Sequence, residues 1–110
     1  ILLAGAIAAT ASVNAKLQQA TDSSGTGAKD ITGKAITQLG GTDDNKQAII
    51  NLRPEDMDTN NGFNYFRLLV TEADSASPHV AVALIAAIVQ GLYARFAPAA
   101  QKTTVAQVVT

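Results

Sequence analysis

Between Ser12 and Gln18 polar and apolar residues alternate without a break: Ser12, Asn14, Lys16 and Gln18 against Val13, Ala15 and Leu17. A period of two sends the polar set to one face of a pleated strand and the apolar set to the other. A strand half covered in this way must lay its apolar face against another sheet. The same patterning returns downstream, each time bounded by Gly, Asp, Asn or Pro clusters. The expected fold is therefore all-β, a small antiparallel β-sandwich of Ig-like or jelly-roll-like kind.

Other segments extend that reading. Leu2 to Ile7 forms a first strand that turns at Ala8–Thr10 into the alternating one. The residues from Ile1 to Ala9 followed by Val13-Asn14-Ala15 also have the outline of a secretory signal with a small-x-small cleavage site, but a cut there severs the cleanest strand of the chain. Thr21 to Gly27 is a loop of residues that accept positive φ or bond their own backbone. Next, Ile31, Gly33 and Ala35 share one face of a strand and Thr32, Lys34 and Ile36 the other, with Gly33 marking a bulge that also turns Ile36 inward. A helix from Asp30 to Gly40 is the rival, opposed by its interior glycine and its β-branched Ile31, Thr32, Ile36 and Thr37.

After a turn at Gly40–Asn45, Ala48, Ile50 and Leu52 alternate with Gln47, Ile49 and Asn51 until Pro54 removes a ladder donor. Glu55 to Gly62 is a polar loop whose Asn61-Gly62 predicts a hairpin. Its return strand, Phe63 to Glu72, has Phe66, Leu68 and Val70 on one face and Tyr65, Arg67, Leu69 and Thr71 on the other. Apolar residues on both faces suit a central strand, or one whose outer face meets a partner. From Val80 to Phe96 two readings compete. Val80, Val82 and Leu84 alternate as a strand would, while Ser77-Pro78 and the Ala83, Ala87, Gly91 stripe suit a helix at 78–97, which would make the chain α+β. The expected organisation is one domain over 1–98 and an extended C-terminal tail over 99–110, whose last residues extend along a neighbour's edge.

Composition limits the function. In 110 residues the apolar fraction is 47%, the charged fraction 15% and the net charge −1. Eight Lys and Arg are scattered singly, so no basic patch invites nucleic acid. The apolar run ending at Gln90 is short for a membrane span. Without cysteine there is no disulfide framework and no thiolate metal site.

The candidate chemistry is thin. Asp56, Asp58 and Asn60 alternate as at the start of a calcium loop, but the glycine falls one place late and Arg67 stands where a bidentate glutamate belongs. Gly27 to Lys34 has five residues between glycines where a phosphate loop has four, and Ala35 replaces its hydroxyl. His79 is the only histidine, with Asp74, Ser75 and Ser77 near it in sequence only. Glu55 and Glu72 have nothing beyond their carboxylates to mark them as an acid–base pair. Tyr65, Phe66 and Arg67 on a strand could stack bases, yet the charge balance favours a structural role. No catalytic, cofactor or metal site is expected.

The order of segments resembles a family of small β-sandwich virion proteins of tailed bacteriophages, encoded beside the major capsid protein. The matching stretches are Val13-Asn14-Ala15-Lys16-Leu17-Gln18, Asp30-Ile31-Thr32-Gly33, Ile36-Thr37-Gln38-Leu39, Asp43-Asp44-Asn45-Lys46-Gln47, Arg67-Leu68-Leu69-Val70-Thr71 and Tyr93-Ala94-Arg95-Phe96-Ala97-Pro98. The resemblance implies a capsid decoration or cement protein on the outer surface of the virion, with the major capsid protein as partner. It also implies a closing strand over Val80–Gln90. The loop at Glu55–Gly62 and the tail after Pro98 depart from the family's compact pattern. Lattice symmetry suggests a homo-oligomer, a trimer by preference. Interface candidates are Tyr93 and Phe96, because aromatics anchor interfaces, and Val105, Val108 and Val109 of the tail. The rival readings are a secreted or membrane-tethered binding module, a tail or head–tail component, and an enzyme with a cleft built from Glu55, Asp56 and His79.

Overall fold

The alternating segment is the centre of the molecule. It forms part of β2 (Ala11–Ala20), in which Val13, Ala15 and Leu17 are buried while Asn14, Lys16 and Gln18 reach the surface. The computed structural model describes residues 2–75, 82–87 and 105–110. The remaining strands among them are β1 (Leu2–Ile7), β3 (Lys29–Ala35), β4 (Gln47–Ile50), β5 (Tyr65–Asp74), β6 (Val82–Ala87) and β7 (Val105–Val109). They make a four-stranded sheet in the order β6-β1-β4-β7 and a three-stranded sheet in the order β3-β2-β5. Leu2, Ala4, Ile7 and Ala48 from the first sheet meet Val13 and Ala15 from the second, with Ile36 and Leu39 of the segment after β3, in one apolar core. This is an all-β sandwich, as the period-two pattern requires.

The bulge expected at Gly33 is present. Gly33 has φ +74°, and six residues of β3, from Asp30 to Ala35, face only three of β2, from Gln18 to Lys16. The extra residues reset the pleat, so Ile31 and Ile36 are both buried although an odd number of positions separates them. Ile36 N–H then bonds Ala15 C=O at 2.9 Å. The rival helix over 30–40 is replaced by this bulged strand.

Two features differ from expectation. Asn61-Gly62 does not close a hairpin between β4 and β5. Such a turn needs positive φ at both residues, and of the two only Gly62 has it, at +83°, where it ends the one-turn 3-10 helix Thr59–Asn61. The chain instead crosses between sheets, and β5 pairs with β2 in ten unbroken antiparallel steps from Ala11↔Asp74 to Ala20↔Tyr65. β5 thus lies at a sheet edge, so its apolar residues on both faces cannot reflect a central position.

Of the C-terminal segment, Val105–Val109 is extended, but the edge it follows belongs to its own chain: β7 runs parallel to β4. A parallel neighbour needs a long crossover, which residues 51–104 supply. The Gln107 side chain fastens the other side of β7. Its Nε2 donates to Thr37 C=O and its Oε1 accepts from Thr37 N–H, both at 2.7 Å. Val82–Ala87 is a strand paired antiparallel with β1, so a helix spanning 78–97 is excluded there and the closing strand is present in that part. The rest of that segment lies outside the described residues.

Candidate functional site

Three features stand out from the scaffold. The first is the crossing loop between β4 and β5, which contains the short 3-10 helices Pro54–Asp56 and Thr59–Asn61 and buries none of their residues. Polar contacts hold it in place of packing. Lys34 Nζ lies 2.9 Å from Asp56 Oδ2 and Lys29 Nζ 2.7 Å from Asp58 Oδ2. Gln19 Oε1 accepts Asp58 N–H at 2.8 Å, and Lys29 Nζ sits 3.9 Å from the centre of the Phe63 ring. Lys34 is the unexpected member. The period of two puts it on the face opposite the buried Ile31, yet beyond the bulge at Gly33 it is only 5% exposed. A lysine directly after a bulge glycine was the signal for it.

These contacts answer the calcium reading. Asp56 and Asp58 are ion-paired with Lys34 and Lys29, and Asn61 Nδ2 donates to the remaining Asp58 oxygen at 2.7 Å. Among the described residues no group of three acidic, His or Cys side chains is placed to hold a metal ion. Among the described residues Glu55 reaches Arg53, at 3.9 Å on the surface. His79, Tyr93 and Phe96 lie outside the described residues.

The second feature is a polar ladder across the outer face of the three-stranded sheet. Arg67 Nε and Nη2 donate to Gln18 Oε1 at 2.9 and 2.7 Å, and Gln18 Nε2 donates to Asp30 Oδ1 at 2.7 Å. Lys16 Nζ lies 2.8 Å from Asp30 Oδ2. Gly25, at φ +86°, leaves room at the end of the ladder: a Cβ there would stand 3.1 Å from Arg67 Nη1.

The third feature is exposed apolar surface. The large apolar side chains exposed among the described residues are Tyr65, Phe66 and Val108, and all three lie on β5 and β7, strands that end the two sheets. Of the tail residues expected at an interface, Val108 is 55% exposed, while Val105 is half-buried and Val109 packs against the core.

Several carboxylates are held below the ordinary value of 3.8: Asp56 chiefly by the Lys34 hydrogen bond, Asp58 by that of Lys29, Asp30 by that of Lys16, and Asp43 by the Gly40 N–H with Lys46 behind it. A carboxylate whose folded pKa lies below its unfolded one stabilises the fold above the unfolded pKa, and that contribution disappears as pH falls through the folded pKa. Urea midpoints should therefore be level from about pH 7 to 5 and fall progressively below about pH 4. A midpoint unchanged down to about pH 2.5 would contradict this account of the loop.

No helix among the described residues is long and apolar enough to cross a membrane. Set against protein-family models, curated proteins and solved structures, the chain matches none.

Proposed function

We propose that this chain is a non-enzymatic structural protein of a tailed-phage virion, a decoration or cement protein that docks on the outer capsid surface. The observation that carries the reading is the placement of exposed apolar side chains on edge strands, where a β-sandwich meets neighbours without rearranging its core. The segments that resemble the virion family and lie in the described residues fall on β2, β3 and β5, just after β3, and in the turn leading into β4. Docking uses the outer face of the four-stranded sheet, where Val108 of β7 lies beside Ile49 of β4 in the ladder register. The partner is the major capsid protein. Each bound copy favours the assembled shell over the dissociated one by mass action, and many copies make a modest affinity per copy sufficient. A homo-oligomer, a trimer in the simplest match to lattice symmetry, would multiply those contacts.

Mixing the purified chain with empty phage heads and imaging by electron cryomicroscopy tests this. Added density at regular lattice positions is expected, and Val108→Asp should lower occupancy about tenfold at a fixed concentration, since a charge would be desolvated at the contact. Bare shells would refute the decoration role. Density on the tail instead would keep the virion role and move the chain to the tail.

A further inference from the structure

We propose that the outer face of the β3-β2-β5 sheet binds an extended oligosaccharide. The two sheets of a sandwich turn their outer faces in opposite directions, so this face stays open when the other one docks. It does not depend on the shell-binding role.

Register defines the face. Asn14↔Thr71, Lys16↔Leu69, Gln18↔Arg67 and Ala20↔Tyr65 are cross-strand pairs between β2 and β5, and each pair projects to one side of the sheet. Tyr65 to Thr71 covers about 20 Å at the usual strand rise. Along that length the chemistry changes in order. Tyr65, 48% exposed, offers an aromatic surface at one end. The Asp30–Gln18–Arg67 ladder occupies the middle. Beyond it a depression of about 270 Å³ is lined by Asn14, Lys16, Leu69 and Thr71 together with Ala15, Ala35 and Ile36, of which Ala15 and Ile36 also belong to the core. That is smaller than the roughly 300–1,000 Å³ of pockets that engulf a small molecule, and suits a single ring held at the surface.

Sugars need this combination. A pyranose has a C–H face that packs on an aromatic or aliphatic surface and an equatorial rim of hydroxyls that both donate and accept. Planar amide, carboxylate and guanidinium groups address adjacent hydroxyls in pairs. Those groups are fixed by one another here, so little rotamer entropy is lost on binding. They also keep capacity. Arg67 gives two of its five donors to Gln18, Lys16 gives one of three to Asp30, and Asp30 accepts two bonds of about four. Two cations and one carboxylate are too few for a phosphate backbone, and a polar ladder at the centre lacks the apolar core of a protein interface.

A glycan array, followed by electrophoresis of the isolated chain through gels containing laminarin, xylan, dextran or alginate, tests the proposal. Binding to at least one glycan class is expected, with Tyr65→Ala and Gln18→Leu each weakening it about tenfold, the factor carried by one good contact. Val108→Ala, on the other sheet, should leave it unchanged. Retardation in alginate alone that vanishes with salt would reduce the effect to charge attraction and overturn the proposal. So would silence across the whole panel, or binding that neither substitution weakens while both variants retain the wild-type urea midpoint. Because the isolated chain is used, none of these results bears on docking to the shell.

Discussion

Replacing Leu39 with alanine should lower the free energy of unfolding by about 2–5 kcal/mol, the range for removing a buried leucine side chain. Leu39 is fully buried, and its N–H and C=O both bond Val13, at 2.9 Å each way. It plugs the core beside β2 from a segment with no strand of its own beyond that single bridge. The backbone is thus fixed by two hydrogen bonds and cannot collapse into the space that alanine leaves, which places the cost in the upper half of the range. A domain of this size has about 5–15 kcal/mol in total, and each kcal/mol moves the melting midpoint by about 4 °C or more. A fall of about 14–20 °C or more follows, measured by calorimetry or by circular dichroism. Leu39→Met, which keeps the volume, should cost less than about 1.5 kcal/mol. A Leu39→Ala protein that melts within about 2 °C of the wild type would show that the packing at this position is wrong.

That residue also shows where the sequence is and is not legible. Leu39 sits in Thr37-Gln38-Leu39-Gly40, too short and too interrupted for period-two reasoning to assign it a face; only the partner backbone of Val13 does so. β2 was readable because one face is dry and the other wet, and the alternation records that difference directly. Gly33 was readable because a glycine within a β-branched run has few uses. The pairing of β5 was not. A turn motif is local, and Asn61-Gly62 carries the same residues whether it closes a hairpin or caps a 3-10 turn. The choice falls to β2, whose ten residues give β5 a full-length partner where the four of β4 do not. The same limit applies to the polar ladder. Gln18, Asp30 and Arg67 are far apart in sequence, and nothing local couples an exposed glutamine to an arginine 49 positions later. Lys34 is buried because the bulge that turns Ile36 inward also turns Lys34, two positions before it on the same face.

Lys34 and Asp56 should respond unequally to substitution, and the inequality tests how the crossing loop is held. Asp56→Ala leaves the Lys34 ammonium nearly out of reach of water with no carboxylate beside it, the costly way to break an ion pair. Lys34→Met removes the charge from the buried side, fills much the same volume, and leaves Asp56 where water can reach it. The urea midpoint should therefore drop for Asp56→Ala, several-fold more than for Asp30→Ala, whose partner Lys16 is free to extend into solvent. It should stay near the wild-type value for Lys34→Met. Adding Lys34→Met to Asp56→Ala should restore most of the loss, since no stranded charge then remains, and a double-mutant cycle reads that recovery as a coupling energy. Hydrogen exchange supplies the structural half of the test. With Asp56 gone, the Asp56 and Met57 amides, which bond Arg53 and Pro54 carbonyls within the turn, should lose protection first. Equal midpoints for the two single variants would mean that Lys34 finds water without its partner. The loop would then be held chiefly by Asp58, through Lys29 and Gln19.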